Sequence, residues 1–379
     1  MQINEGGYYM KKILALMLLI SSLMLVGCEG DILNPIEPGE PIKSGEQIVY
    51  SENSGINVVP SLKDEITADS AWCATFQLVW NDLKNELVKQ DIKFIPQLEM
   101  VENLNQETFT EEMISSEYYY KNFGPSTYDL KAEIEKGIKD KFDESSDVLD
   151  LVQWYNAEDL PDGHNYYTFY TMLKREFEFP KVFSKLQNGK FGDYEDVKYF
   201  GIDGYTDKQV DNQVQVLFYN SEEEYAVLLE TKNGDEVILY KNPNGKTFEE
   251  IYNNLLKHGK VYKGAKQFKE KDQLKVPYIK MDEMREFVEL EGKPFQKSTG
   301  EEILIDAAIQ TIKFELDEQG GKIKSEAIIA TKDAMAILPK EEEPRYFYFD
   351  DTFALFLKEE SKDMPYFATL ISDITKYQK

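Results

Sequence analysis

The sequence of 379 residues has few of the side chains on which metal and acid–base chemistry most often depend. It contains two histidines, His164 and His258, and two cysteines, Cys28 and Cys73. Two cysteines are too few for a disulfide framework or a cysteine-rich zinc site, and imidazole chemistry has only two candidate residues. The composition therefore predicts neither a metal site nor a cofactor.

Positive charge is also scarce, since 43 Lys and Arg stand against 70 Asp and Glu, for a formal net charge of −27. Binding to a phosphate backbone needs Lys and Arg to neutralise it, so this balance argues against a nucleic-acid partner. Hydrophobic residues make up 42% of the chain and aromatic residues 13%, enough to build a large core. Wholesale disorder is therefore excluded, and the acidity is typical of a well-solvated surface.

Motifs of the common enzyme classes are missing as well. The chain has no G-x-S-x-G, no H-E-x-x-H, no phosphate-binding loop and no dinucleotide-binding glycine motif. His164 falls in a predicted turn and His258 at a predicted helix end beside Gly259, positions that favour structural roles. We therefore predict that the protein is not an enzyme and has no catalytic residues.

Residues Met10–Cys28 have the pattern of a bacterial secretion signal. A positive start is followed by an apolar run, Ile13–Met24, that is short for a membrane span. Leu25-Val26-Gly27-Cys28 resembles the bacterial lipobox, in which the cysteine is acylated and becomes the mature N-terminus. We expect residues 1–27 to be a lipoprotein signal peptide and Cys28 to anchor the chain to the extracytoplasmic face of a bacterial cell membrane. An ordinary signal peptide is the alternative.

Residues 28–57 are rich in Pro, Gly, Glu and Ser, which predicts a flexible acidic tether. One folded domain, residues 58–379, then follows. Cys73 is the other cysteine of the mature chain, and its neighbours Trp72 and Phe76 predict a buried thiol rather than a nucleophile.

Helical periodicity marks the first third of this domain. Apolar residues recur at steps of three and four from Trp72 to Leu87, which predicts a long amphipathic helix with Asp69 and Ser70 as suitable caps. A weaker helical pattern runs from Thr127 to about Trp154.

Strand patterns follow in the middle of the chain. Tyr225–Glu230 and Glu236–Tyr240 flank Asn233-Gly234, which predicts a hairpin. Thr247, with Glu250 three positions later, predicts a capped helix that ends at Gly259.

The C-terminal part reads as strands interrupted by one long loop. Residues 310–317 alternate apolar and polar, with the apolar side chains Ile312, Phe314 and Leu316 predicted to face a core. Residues 346–349, 353–357 and 364–371 predict three further strands.

This order of elements resembles the serpin family. The resemblance is strongest over residues 310–371, where an alternating strand ends in Asp317-Glu318-Gln319-Gly320 and a loop leads to the Phe-rich strands. Leu274–Lys280 and Met172–Pro180 match upstream stretches in the same order. The match covers residues from about 165 to 375, and the helical first third matches loosely.

The resemblance implies an α+β fold with N-terminal helices, large mixed and antiparallel β-sheets, and an exposed loop before the C-terminal strands. In inhibitory serpins a protease cleaves this loop, which then inserts as a strand into a central sheet and deforms the enzyme. Here the loop implied is residues 321–343, with Glu318, Gly320 and Gly321 as its hinge. The bait bond would fall near Ala334–Met335, or as far on as Leu338.

The start of the loop departs from the small residues that insertion favours. If alternate residues face a core, the buried set is either Gly321, Ile323 and Ser325 or Lys322, Lys324 and Glu326. The second set would bury three charges at a cost of several kcal/mol each. We therefore expect a non-inhibitory binding or structural lipoprotein with a serpin-like fold. The alternative is a serine or cysteine protease inhibitor of the cell envelope, whose partner would be a protease.

Overall fold

Strands outnumber helices in this chain. The computed structural model describes residues 55–146, 148–159, 166–204, 208–232, 234–321 and 343–378, which all belong to one unit beginning at Gln47. The helices described are α1 (Ala74–Asp82), α2 (Glu99–Asn105), α3 (Tyr128–Phe142), α4 (Lys208–Asp211) and α5 (Phe248–Val261), and a π-helical segment, Leu83–Val88, continues α1. Single 3-10 turns are Glu111–Met113, Val148–Leu151, Ala157–Asp159 and Ile374–Tyr377.

The strands described number twenty-one and most are short. In chain order they are β1 (Asn57–Val58), β2 (Ser70–Cys73), β3 (Tyr119–Pro125), β4 (Tyr167–Leu173), β5 (Phe177–Glu178), β6 (Ser184–Lys185), β7 (Gly189–Phe191), β8 (Tyr194–Val197), β9 (Tyr199–Ile202), β10 (Val214–Ser221), β11 (Glu224–Glu230), β12 (Asp235–Lys241), β13 (Gln273–Pro277), β14 (Ile279–Glu286), β15 (Pro294–Gln296), β16 (Glu302–Leu304), β17 (Ile309–Leu316), β18 (Gly320–Gly321), β19 (Tyr346–Tyr348), β20 (Phe353–Glu359) and β21 (Phe367–Ile371).

The largest sheet has seven strands in the order β1-β2-β21-β20-β12-β11-β10. Its centre is buried on both faces, because β12, β20 and β21 are almost continuous runs of apolar residues. The predicted hairpin is confirmed, with Leu228 opposite Ile238. The three predicted C-terminal strands are confirmed as β19, β20 and β21.

The helix predicted from Trp72 begins later than expected. Residues Ser70–Cys73 form β2, which pairs antiparallel with β21, so Trp72 lies in a strand and the helix begins at Ala74. Asp69 and Ser70 are therefore not its caps, and that prediction is wrong. Asp69 instead has a positive φ of 57° and binds the chain near Ser372. A strand partner some 300 residues away overrides the local helical pattern.

The other two predicted helices have the expected starts and different ends. Thr127 caps α3 by accepting a hydrogen bond from the Leu130 amide at 3.2 Å. The helix ends at Phe142 rather than near Trp154, because Asp143 adopts a left-handed conformation. Thr247 caps α5 through the Glu250 amide, as predicted. Its predicted end at Gly259 is wrong, since the Tyr262 amide donates to the His258 carbonyl and the helix continues to Val261.

A second sheet has the order β14-β17-β18-β5, and β3 pairs with β4 in a separate two-stranded ladder. The alternation predicted for residues 310–317 is confirmed in β17, where Ile312 and Leu316 are buried and Lys313 is exposed. A third sheet has the order β19-β13-β9-β6. These mixed and antiparallel sheets with few helices make an α+β fold.

The apolar side chains form one large core and one small one. The small core lies where α3 covers β4 and contains Leu130, Ile134, Ile138, Leu149, Trp154 and Tyr170. Within the described part of the chain, no helix is long and apolar enough to cross a membrane.

Candidate functional site

A long groove separates β4 from β17. Strand β4 pairs with β3 along one edge, and β17 pairs with β14 along one edge. Among the described residues, the second edge of β4 has no strand partner, and the second edge of β17 pairs only at Leu316. A cavity of about 1050 Å³ lies between these two edges, and we call it the inter-strand groove. Its volume is at the upper end of the range for small-molecule pockets.

The floor of the inter-strand groove is the start of the helical segment. It is lined from below by Cys73, Thr75, Phe76, Val79, Trp80, Leu83 and Leu87. The side-chain amide nitrogen of Gln310 on β17 donates to the Cys73 carbonyl at 3.0 Å and to the Thr75 hydroxyl at 2.9 Å. These bonds fasten one wall to the floor.

The inward faces of the two walls are apolar with two polar exceptions. Phe169 and Leu173 of β4 pack against the large core, as do Ile312 and Phe314 of β17. The hydroxyl of Thr171 and the side-chain oxygen of Gln310 are buried and have no hydrogen-bond partner among the described residues. Buried polar atoms in native proteins are normally satisfied, so these two oxygens mark a place where a further group can bind.

One end of the inter-strand groove is closed by β18. Gly321 pairs with Leu316 on one side, while Gly320 and Gly321 pair with Glu178 and Phe177 on the other. A Cβ atom on Gly320 would lie 2.2 Å from the Phe177 carbonyl oxygen, and one on Gly321 would lie 2.4 Å from the Phe177 ring. Gly320, which clashes with backbone and has a φ of 147°, therefore requires glycine, whereas a side chain at Gly321 would force the Phe177 ring to shift.

Glu318 is buried just before these glycines. Its carboxylate accepts a hydrogen bond from the Tyr278 hydroxyl at 2.6 Å and lies 3.2 Å from the Lys185 ammonium. Burial alone would raise the pKa of Glu318, but the Tyr278 hydrogen bond and the positive charge of Lys185 outweigh it and lower the pKa. The ionised carboxylate thus holds the chain just before β18 against the neighbouring strands.

A buried ion pair lies at the same end of the inter-strand groove. Arg175, which follows β4, donates to the Asp235 carboxylate at 2.5 Å, and the Tyr366 hydroxyl donates to its other oxygen at 3.1 Å. Burial raises the pKa of Asp235 despite the charge and hydrogen bond of Arg175. The guanidinium also stacks on the Tyr118 ring, 3.3 Å from its centroid.

The structure brings some of the residues singled out in the sequence together and separates others. Glu318, Gly320 and Gly321 come together at the closed end of the groove, and Cys73 is buried on its floor as predicted. Burial raises the pKa of the Cys73 thiol. His258 packs against Phe218, with ring centroids 4.9 Å apart. Cys28, His164, Ala334, Met335 and Leu338 lie outside the described residues.

Sequence reasoning missed the polar members of the groove. Thr171 sits in an aromatic stretch that reads simply as a strand, and Gln310 is the polar residue that opens the alternating segment. Their relation is visible only in the structure, where they lie on facing walls of the groove. Across the described ranges, no group of three or more His, Cys, Asp or Glu residues is arranged to hold a metal ion.

Comparisons with known proteins find similarity in structure but not in sequence. No protein-family profile and no curated protein sequence matches the chain. Serpin48 of the insect Tenebrio molitor matches with 12% identity over 75% of this chain and 72% of its own, at a TM-score of 0.39. The thermophilic serpin Tengpin, in the native state, matches with 11% identity over 69% and 76%, at a TM-score of 0.41. A serpin of the trematode Schistosoma haematobium matches with 14% identity over 64% and 62%, at 0.36.

These structures are serpins, the family that residues 310–371 resemble in sequence. Among the described residues, the walls of the groove leave two strand edges open and two buried oxygens without partners.

Proposed function

We propose that this protein is a lipoprotein of the extracytoplasmic face of a bacterial membrane, and that its segment 322–342 is a protease bait. Once cleaved, this segment inserts as a strand into the inter-strand groove, and a protease still bound through an acyl link is carried with it. The lipid on Cys28 is the membrane anchor. The protein acts without catalysis, cofactor or metal of its own.

The observation that supports this proposal most strongly is the position of β18. Gly321 pairs with Leu316 of β17 on one side, and both residues pair with β5 on the other, so β18 occupies the place of a middle strand. β18 ends at Gly321, which is paired with Leu316 of β17 and with Phe177 of β5. Extension of β18 by residues 322–329 would pair backbone groups on both edges at about 1 kcal/mol for each hydrogen bond.

The register of β18 favours one of the two possible sets of inward residues. In an antiparallel pair, residues directly opposite each other point to the same face. Because Gly321 is opposite Leu316, a regular extension would bring Ile323 opposite Phe314, Ser325 opposite Ile312 and Ala327 opposite Gln310. The charged residues Lys322, Lys324 and Glu326 would then face outward.

The register against the opposite wall favours the same inward set, Gly321, Ile323 and Ser325. Because Gly321 is also opposite Phe177, a regular extension would bring Ser325 opposite Leu173 and Ala327 opposite Thr171. Leu173 packs on the large core, as does Ile312, so both walls turn Ser325 inward. Thr171 and Gln310, with their unpaired oxygens, would flank the small side chain of Ala327.

A second candidate function is a non-inhibitory binding or structural lipoprotein, and Ile323 favours it. This large side chain would enter the core beside Phe314 and Arg175, where overpacking costs about 1–3 kcal/mol. Slow insertion would release the protease before it is trapped. The protein would then be cut as an ordinary substrate.

The test is to cleave the protein within residues 322–342 and to measure its melting temperature before and after. Insertion should raise the melting temperature by about 10 °C or more, because several backbone hydrogen bonds form at once. A denaturing gel with a panel of serine and cysteine proteases then separates the two candidates, since an inhibitor gives a stable covalent complex. Cleavage without any rise in melting temperature would contradict insertion.

A matched pair of variants sharpens this test. Ser325→Arg puts a charge at an inward position and should abolish the rise in melting temperature, because an unpaired buried charge is costly. Glu326→Arg changes the outward neighbour and should keep the rise. If both variants behave alike, the register is wrong.

The anchor is tested separately by fractionation. The wild-type protein should incorporate labelled palmitate and sediment with membranes, whereas Cys28→Ser should do neither. A lipid-labelled Cys28→Ser variant would exclude Cys28 as the attachment site.

A further inference from the structure

One stretch of this acidic chain is strongly basic. Residues 256–271, which we call the basic segment, contain six lysines and a single acidic residue, Glu270. The whole chain has a formal net charge of −27. A concentration of positive charge on such a background creates a local field that differs in sign from the rest of the surface.

The basic segment comprises the last turns of α5 and the extended chain that follows. Lys257, Lys260, Lys263 and Lys266 are exposed, and none of them forms an ion pair with another described residue. Lys257 and Lys260 also suit the negative end of the helix, but Lys263 and Lys266 lie beyond it, so helix stabilisation does not account for them.

Two apolar side chains lie among these lysines. Leu256 is 49% exposed and Val261 is 67% exposed. Exposed apolar side chains surrounded by charged ones are typical of protein interfaces, in which an apolar centre has a polar rim.

The basic segment is fastened to the end of the bait. Arg345, three residues beyond segment 322–342, donates to the carbonyl oxygens of Ala265 and Gln267, each at 2.7 Å. Its guanidinium is held by the buried carboxylate of Asp272 at 2.6 Å. Gln267 in turn forms an isolated β-bridge with Gln215 of β10. The basic segment therefore lies at the edge of the seven-stranded sheet.

We propose that the basic segment is a second contact surface for the protease that engages segment 322–342, and that this protease presents acidic side chains there. This inference rests on the proposed function of that segment. A partner seated on the bait approaches the basic segment because both are joined at Arg345. Complementary charge raises the association rate of such a partner and offsets the repulsion from the rest of this acidic chain.

The experiment compares two probes that cut after lysine and differ in net charge, anionic trypsin and cationic trypsin. Segment 322–342 contains four lysines, Lys322, Lys324, Lys332 and Lys340. The measured quantity is the initial rate of cleavage within this segment of the full chain, identified by mass spectrometry. A peptide of residues 318–345 normalises the intrinsic activity of each trypsin.

The variant carries Lys257→Gln, Lys260→Gln, Lys263→Gln and Lys266→Gln. The control changes four exposed lysines elsewhere, Lys93, Lys136, Lys139 and Lys190, to Gln. Both move the net charge from −27 to −31, so the two differ in the position of the lost charge, and the control also loses two exposed ion pairs, Lys139 with Asp143 and Lys190 with Glu195. We expect the variant to be cut about tenfold more slowly than the control by anionic trypsin at low salt, and not more slowly by cationic trypsin. The difference should disappear in about 1 M salt.

Equal rates for variant and control with anionic trypsin would overturn the proposal. Liposomes provide a second arm, with phosphatidylglycerol and phosphatidylcholine compared with phosphatidylcholine alone. Binding to the anionic liposomes that only the variant loses would assign the surface to a membrane and would also overturn the proposal. Failure of strand insertion is seen separately, in the melting temperature after cleavage, and does not alter these rates.

Discussion

Thr171 and Gln310 lie on opposite walls of the inter-strand groove, and each has a buried side-chain oxygen that forms no hydrogen bond with the part of the chain the structure describes. The hydroxyl of Thr168, three residues earlier on the same strand, is also buried but lies 2.9 Å from the Ser126 hydroxyl. The groove therefore carries two polar atoms for which the described residues supply no hydrogen bond. Such atoms cost stability until a partner arrives.

Replacing Thr171 with Val should stabilise the uncleaved protein or leave it unchanged. The substitution keeps the shape of the side chain and removes a hydroxyl that is buried without a partner, so the free energy of unfolding should rise by up to about 1 kcal/mol. Thr168→Val is the matched control and should lower it by about 1 kcal/mol, because the Ser126 hydroxyl loses its partner. Urea denaturation measures the free energy of unfolding of both variants. If Thr171→Val lost as much stability as Thr168→Val, the Thr171 hydroxyl would have to be hydrogen-bonded.

Glu318→Gln should destabilise the protein at neutral pH and not in acid. The pKa of Glu318 is lower in the folded than in the unfolded protein, so its stabilisation is complete above the unfolded value of about 4.3. It is lost as the pH falls from there through the folded pKa. The variant should therefore lose about 1 kcal/mol at pH 7, since the Tyr278 hydroxyl then donates to a neutral oxygen.

Urea denaturation at pH 7 and at about pH 3 checks this difference, because the two proteins should approach each other in the more acidic buffer. Lys185→Gln is the control. Its side chain is 74% exposed, so removal of its charge should have a small effect at either pH. A gap between wild type and Glu318→Gln that stays constant with pH would contradict the role of the ionised carboxylate.

Asp69→Ala should be among the more destabilising substitutions outside the apolar core. The buried carboxylate of Asp69 accepts from the amides of Ser372 and Asp373, each at 2.8 Å, and lies 2.9 Å from the Lys376 ammonium. Its removal leaves these donors unpaired and should cost about 3 kcal/mol. Lys376→Met should cost about 1 kcal/mol or less, because the Lys376 side chain is partly solvated. Chemical denaturation measures both, and equal losses would show that the amide contacts contribute little.

Elements with a strong local pattern could be predicted from the sequence. The alternating segment 310–317 and the hairpin around Asn233-Gly234 depend on side-chain periodicity and turn chemistry, and both form as predicted. The starts of α3 and α5 depend on Thr127 and Thr247, whose capping bonds are also local. Their ends were less predictable, because Gly259 is compatible with a helix that continues.

The start of α1 could not be predicted, because it depends on a distant partner. Trp72 fits the helical stripe, yet β21 binds Ser70–Cys73 as a strand. Asp69 is a residue type that favours helix caps. Its carboxylate instead accepts a hydrogen bond from the amide of Ser372. Local preference is worth a fraction of a kcal/mol for each residue, and a ladder of buried backbone hydrogen bonds outweighs it.

The sequence by itself determined that the chain is acidic, rich in strands and similar in order to serpins, because composition and periodicity are properties of neighbouring residues. It left open which of two residue sets after Gly320 would face a core. Only the tertiary structure fixed the register of β18, by pairing Gly321 with Leu316 on one side and with Phe177 on the other. The physical reason is that pairing with neighbouring strands sets which side chains of a strand face the core. Both partners of β18 lie on other segments of the chain.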